Sequence, residues 1–113
     1  MGRSKSPNSC TAATIVSLPL VFRAMAQAEL DEAAQWYDKR GSTLGTELLA
    51  EVLKVLGKIS DQPDRYPLVS GDAREAPVQR FPYCVYYRVR GARVVVIAIF
   101  HTARDPSIWQ RRV

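Results

Sequence analysis

Arg80-Phe81-Pro82-Tyr83-Cys84-Val85-Tyr86-Tyr87-Arg88-Val89-Arg90 and Arg93-Val94-Val95-Val96-Ile97-Ala98-Ile99-Phe100-His101 flank the dipeptide Gly91-Ala92. Two runs rich in β-branched and aromatic residues around a Gly-centred link predict a β-hairpin. Gly91 fits the first central position of a type II′ turn, where φ must be positive. A regular ladder from that turn sets Arg88 opposite Val95, Tyr87 opposite Val96, Cys84 opposite Ile99 and Tyr83 opposite Phe100. Strand side chains alternate, so the hairpin has two unlike faces. Tyr83, Val85, Tyr87 and Val89 with Val94, Val96, Ala98 and Phe100 form an apolar face suited to packing on helices. Cys84, Tyr86, Arg88 and Arg90 with Arg93, Val95, Ile97, Ile99 and His101 form a mixed face, ending beside Arg104, that reads as a binding face.

The rest of the chain supplies what the apolar face needs. Leu18–Arg23 reads as a first strand. A helix follows over Met25–Arg40, with Leu30, Ala33, Ala34 and Tyr37 at i, i+3, i+4 and i+7. Gly41-Ser42 breaks it. A second helix over Thr43–Gln62 carries the stripe Leu44, Leu48, Val52, Val55 and Ile59, widened by Leu49, Leu53 and Leu56, and Pro63 stops it. Two helices joined by a short link predict an antiparallel helical hairpin. Asp64–Asp72 reads as a loop, Arg74–Arg80 as a strand that Pro77 assigns to an edge, and a short helix starts near Pro106. The expected fold is α+β in the order β-α-α-β-β-β, an antiparallel sheet on a helical hairpin with a short C-terminal helix. Residues 1–17 read as a disordered leader and 18–113 as one domain.

A chain of 113 residues with 47% apolar content can bury a modest core. Cys10 and Cys84 have no metal or redox spacing, and the single His101 makes no zinc site with them. No cofactor or metal is expected, and two unpaired thiols suit a reducing cytosol. Ala24-Met25-Ala26 has a small-x-small form, yet polar residues dilute the run before it and Arg23 interrupts the cleavage region, so secretion is disfavoured. No run is apolar enough to span a bilayer. The net charge of +5 is uneven: residues 67–113 carry eight cations, all arginine, against three acids. Arginine forks onto carboxylate or phosphate, so this half favours an anionic partner.

With these segments in order, the chain resembles the RelE/ParE superfamily of type II toxins, in the branch described as plasmid-stabilisation proteins. The resemblance rests on Arg80-Phe81-Pro82-Tyr83, Val85-Tyr86-Tyr87-Arg88-Val89, and Val94–Ile99 running into His101 and Arg104-Asp105-Pro106. It covers Leu18 to about Arg112. It implies a bacterial, cytoplasmic, growth-arresting toxin silenced by a cognate acidic antitoxin. Members of the RelE type cut ribosome-bound messenger RNA with basic residues; members of the ParE type inhibit DNA gyrase.

Residue by residue, Cys84 stands where the nucleases hold a catalytic arginine, and Glu75 and Pro77 stand where they hold lysines. Arg104 falls on their second catalytic arginine, and Trp109 or Gln110 lies near the place of their C-terminal tyrosine. The resemblance therefore points to ParE-like gyrase inhibition, with a metal-independent endoribonuclease as one alternative and a non-toxic basic binding module as another. Whether the chain is an enzyme stays open. If it is a nuclease, His101 is the base or acid, with Arg88 and Arg104 as charge stabilisers. Partner contacts are expected at Arg80, Tyr86, Arg88, Arg90, Arg93, Ile97 and Trp36. An antitoxin should offer an apolar helix or strand flanked by carboxylates, covering Ile97 while its rim meets the arginines. Tyr86 stacks on a base or packs under the C-terminal helix, and Trp36 serves partner contact or edge packing. Homodimer and toxin–antitoxin hetero-oligomer are both compatible with the sequence.

Overall fold

The computed structural model describes residues 17–113. Strand β1 (Leu20–Phe22) leads into helix α1 (Ala24–Asp38) and helix α2 (Leu44–Asp61), and a 3-10 turn (Pro63–Arg65) follows. Then come β2 (Leu68–Ser70), β3 (Ala73–Pro77), β4 (Tyr83–Arg90), β5 (Arg93–His101) and the short helix α3 (Ser107–Gln110). The five strands form one sheet in the order β1-β5-β4-β3-β2, with β1 parallel to β5 and every other pair antiparallel. The expected α+β fold, a helical hairpin on a sheet with a short C-terminal helix, is what the chain adopts, and the sheet, expected to be antiparallel, is mostly so, with the β1–β5 pair parallel. The predicted leader falls on residues 1–16, outside the described residues, apart from Ser17, whose hydroxyl donates to Asp61 at 2.5 Å.

Two differences lie at the sheet margin. The segment expected to be a loop contains β2, which pairs with β3 through Leu68–Arg74 and Ser70–Ala73. Strand β3 is therefore not an edge. Pro77 ends it, past the reach of β2, so its missing N–H breaks no ladder on that side.

The helices cover one face of the sheet. Leu30 and Ala33 of α1 and Leu48, Val52, Val55, Leu56 and Ile59 of α2 are buried against Val85, Tyr87, Val94 and Val96. Leu49 and Leu53 were expected to widen this stripe, but both face solvent, Leu53 at 67% exposure. At 100° per residue Leu49 and Leu53 lie roughly 75° and 115° round the helix from the centre of the core row, on its flank, so the apolar arc of α2 is wider than the surface it covers.

The two helices meet at Gly45. Its N–H donates to the Asp38 carboxylate at 3.1 Å. A Cβ there would run into that carboxylate and stand 2.5 Å from the Ala34 carbonyl oxygen. Gly45→Ala should therefore cost about 2–3 kcal/mol, more than the helix propensity it gains. Gly57→Ala, where a Cβ meets nothing within 4 Å, should stabilise by about 0.5–1 kcal/mol. Thermal melts of the two variants should move in opposite directions.

The β4–β5 hairpin starts as expected. Gly91 has φ of 61°, and Arg90–Arg93, Val89–Val94, Arg88–Val95 and Tyr87–Val96 pair across the turn. The register then slips by one, and Tyr86 pairs with Ala98, Val85 with Ile99, Cys84 with Phe100 and Tyr83 with His101. Ile97 is the extra residue of a β-bulge. Past the bulge every β5 side chain changes face. Ile99 joins the helix-side core, while Ile97, Ala98 and Phe100 pack with Cys84, Tyr86 and Trp109 on the other face. The expected placement of Ala98 and Phe100 under the helices, and of Ile99 and His101 beside Tyr86, is thereby reversed.

Candidate functional site

The bulge separates the residues expected to act together. Arg88 lies near the hairpin turn, opposite Val95, and His101 lies six residues further along β5, opposite Tyr83. At about 3.3 Å per residue the two positions are roughly 20 Å apart. Arg88 donates to Asp72 at 2.9 Å and is nearly covered, its Nε buried without a hydrogen-bond partner among the described residues. Arg90 grips the other oxygen of Asp72 at 2.9 Å, and Arg93 is exposed opposite Arg90. The constellation of His101, Arg104 and Arg88 is not assembled.

The face expected to be open is closed by α3. The Trp109 ring stacks on Tyr86 at 3.9 Å with an 18° tilt. The Tyr86 hydroxyl donates to Glu75 at 2.6 Å, and burial together with that carboxylate pushes its phenol up. Burial also pushes the Cys84 thiol up. Ile97, expected to be an uncovered apolar contact, is 0% exposed in this cluster. Of the two roles left open for Tyr86, packing under the C-terminal helix is the one the fold uses.

Arg80 sits in the loop before β4 with φ of 71°, in the left-handed region that a non-glycine residue rarely occupies. This geometry turns its guanidinium back onto α2, 2.6 Å from Glu47 and 3.7 Å from the buried Glu51. The Arg80 contact, with the Thr43 hydroxyl, holds the Glu47 carboxyl below its ordinary value of 4.5. A depressed carboxyl stabilises the fold above its unfolded pKa and loses that contribution as pH falls through the folded value. Glu47→Gln should lower the melting temperature at pH 7, and the gap to the parent chain should narrow as the pH is taken down from 4.5.

At the far end of the hairpin, α1 and the last residues of β5 enclose a groove of about 370 Å³. Trp36, Tyr37, Tyr83, Ile99, His101 and Arg104 line it. The aromatic rings interlock edge to face: Trp36 with Tyr37 at 4.9 Å, Tyr37 with Tyr83 at 6.4 Å, and Tyr83 with His101 at 5.1 Å. Burial pushes the Tyr83 phenol up, and the Tyr37 phenol beside it acts in the same direction. His101 Nδ1 accepts the Ala103 N–H at 3.0 Å, which leaves Nε2 to carry the proton of the neutral ring. Arg104 lies over the Phe100 ring at 4.4 Å and 3.8 Å from Glu29. Trp36 is 48% exposed, and the Arg40 guanidinium covers its face at 3.3 Å.

Glu29 also lines this groove, and nothing in the sequence marks it. Arg112 donates to both its oxygens, at 3.0 and 2.9 Å. Glu29 also accepts the Ile99 N–H at 3.2 Å, while Arg112 donates to the Ile97 carbonyl at 3.2 Å. Strand β1 pairs with β5 only as far as Phe22, and among the described residues no strand flanks the rest of β5 on that side. The Glu29–Arg112 pair satisfies its backbone groups in place of one. Tyr37 and Tyr83, expected to be core, and Glu29, Glu32 and Ile99 all belong to the groove.

Among the described residues no cluster of three His, Cys, Asp or Glu side chains is placed to hold a metal. No helix of the described residues is long and apolar enough to cross a membrane. The site is a sheet with one sealed face, an arginine-rich turn and an aromatic groove. The family described as the ParE toxin of type II toxin–antitoxin systems, parDE, matches residues 20–106. The chain belongs to the ParE toxin family.

Solved structures agree with this ParE-family fold. A chain of the chromosomal ParDE TA system from P. aeruginosa superposes with a TM-score of 0.67 at 17% identity, covering 75% of this chain and 96% of that one. A chain of the toxin-antitoxin complex RelBE2 from Mycobacterium tuberculosis superposes with a TM-score of 0.56 at 22% identity, covering 80% and 98%. A search of the curated proteins finds no significant match. The matched segment of this ParE-family chain spans the sheet, the helical hairpin and Arg104, and stops just before α3.

Proposed function

We propose that the chain arrests growth in the ParE manner, by binding and inhibiting DNA gyrase without cutting RNA, and that a cognate acidic antitoxin neutralises it. One observation carries the non-nucleolytic part. The sheet face on which RelE-like nucleases hold catalytic cations has Cys84 in place of arginine, buried beneath the Tyr86–Trp109 stack. Phosphoryl chemistry on that face needs exposed cations around the scissile phosphate, and an aromatic lid occupies the space. The remaining candidates, His101 and Arg104, share the groove on the helix side, without Arg88. The printed descriptions of the two structural relatives, a ParDE TA system and a toxin-antitoxin complex, support the antitoxin partner.

The arginine surplus supports an acidic partner in a narrower form than composition implied. Arg80, Arg88, Arg90, Arg104 and Arg112 are paired with acids of the same chain. Arg93 and Arg111 are exposed and have no ion pair among the described residues. Induction of the chain in bacteria tests the reading. Filamentation and DNA breaks with unchanged transcript ends are expected. Cuts phased with codons across translated messages would replace it with the nuclease reading, and unimpaired growth would replace it with the non-toxic binding module.

A further inference from the structure

We propose that the groove between α1 and the end of β5 is a site for a small organic cation, a free quaternary ammonium compound, held by the aromatic walls with Glu32 as its counter-charge. The inference goes beyond the toxin reading and does not depend on it. Spacing on α1 builds one wall: Glu29, Glu32, Ala33, Trp36 and Tyr37 stand at i, i+3, i+4, i+7 and i+8, one stripe of the helix. Tyr83 and His101, paired across β4 and β5, build the other with Ile99. Trp36 meets Tyr37 at 79° and Tyr37 meets Tyr83 at 64°, so the rings offer faces as well as edges to the space between them. A ring face carries the negative side of the quadrupole and attracts a cation. Trp36 already does this once, with the Arg40 guanidinium over it at 3.3 Å. Arg40 is not part of the groove lining, so the groove meets the indole away from that cation.

Charge selects the class of occupant. Glu29 is already matched, with both oxygens on Arg112 at 3.0 and 2.9 Å. Glu32 is exposed on the groove and has no ion pair among the described residues. Arg104 opposes a cation, but its charge is engaged, 3.8 Å from Glu29 and over the Phe100 ring at 4.4 Å. The ring faces and the unpaired Glu32 both repel phosphate and carboxylate. A primary ammonium is strongly hydrated and gains little from aromatic walls, whereas an alkylated ammonium sheds its water and packs against them. A groove of about 370 Å³ takes a whole compound of choline size rather than a head group alone.

Amide and indole NMR titrations of the purified full chain test this with choline, its uncharged carbon isostere neohexyl alcohol, acetyl-trimethyllysine-amide and inorganic phosphate. Choline should shift the Trp36 indole N–H and the Ile99 and His101 amides, while the Trp109 indole, buried on the other face of the sheet, stays still. The isostere should bind about tenfold more weakly, because it fills the same space without the charge. Glu32→Lys should abolish the shifts, and Arg104→Gln should tighten choline about threefold by removing a like charge. Trp36→Leu, at an exposed position, should weaken choline about tenfold with an unchanged melt. Equal binding of choline and the isostere, tighter binding of phosphate, or an unmoved Trp36 indole would each overturn the proposal. Tighter binding of acetyl-trimethyllysine-amide than of choline would overturn the free compound in favour of a modified side chain.

Discussion

Val96→Asp is expected to abolish cooperative melting. Val96 is fully buried, paired with Phe22 on one side and Tyr87 on the other, in the core between the sheet and the helices. The substitution removes a packed side chain and leaves a charge with no cation beside it. Together these cost about 5 kcal/mol or more, against a total stability of roughly 5–15 kcal/mol for a domain. Val89→Asp serves as the control, because Val89 on the same face lies beyond the helices and is 37% exposed. Circular dichroism melts should show the control folded and Val96→Asp unfolded. A parent-like transition for Val96→Asp would mean that the two faces of the hairpin are inverted.

The second large effect is expected at Glu29. Glu29→Ala strands the Arg112 guanidinium, nearly covered, and leaves the Ile99 N–H without its acceptor. Removing one partner of a buried ion pair costs about 3–5 kcal/mol. The lower end applies here, because Arg112 keeps some access to water and retains the Ile97 carbonyl as an acceptor. A loss of about 3 kcal/mol lowers the melting temperature by roughly 10–20 °C. The double variant Glu29→Leu, Arg112→Leu should recover only part of this. It removes the unpaired charge, but the Ile97 carbonyl and the Ile99 N–H still lose their partners. A double-mutant cycle on thermal melts measures the coupling. Additivity of the two single variants would show that the pair contributes nothing as a unit.

Local pattern carried the elements, and long-range contacts decided the faces. Leu30, Ala33, Leu48, Val52, Val55 and Ile59 announce two helices because burial on one side imposes a 3.6-residue period. Gly91 announces the turn because its φ of 61° suits glycine. The bulge at Ile97 has no such mark. No glycine, proline or polar residue interrupts Val94–Phe100, and a uniformly apolar strand reads the same in either register. That one residue moved His101 from the side of Tyr86 to the side of Tyr83, and with it the candidate site. Glu29 and Arg112 are far apart in sequence, and only the short reach of β1 brings them to one sheet edge. The exposure of Trp36 follows from its place off the α1 stripe, whereas the groove beside it depends on the register of β5.

We propose that this ParE-family chain acts on gyrase and leaves RNA intact. A supercoiling assay with purified gyrase and relaxed plasmid, run beside ribosomes programmed with a defined message, tests it in one measurement. Added chain is expected to block supercoiling while the message stays full length. Supercoiling that proceeds unhindered at excess chain, with the message cut on the ribosome, would contradict it.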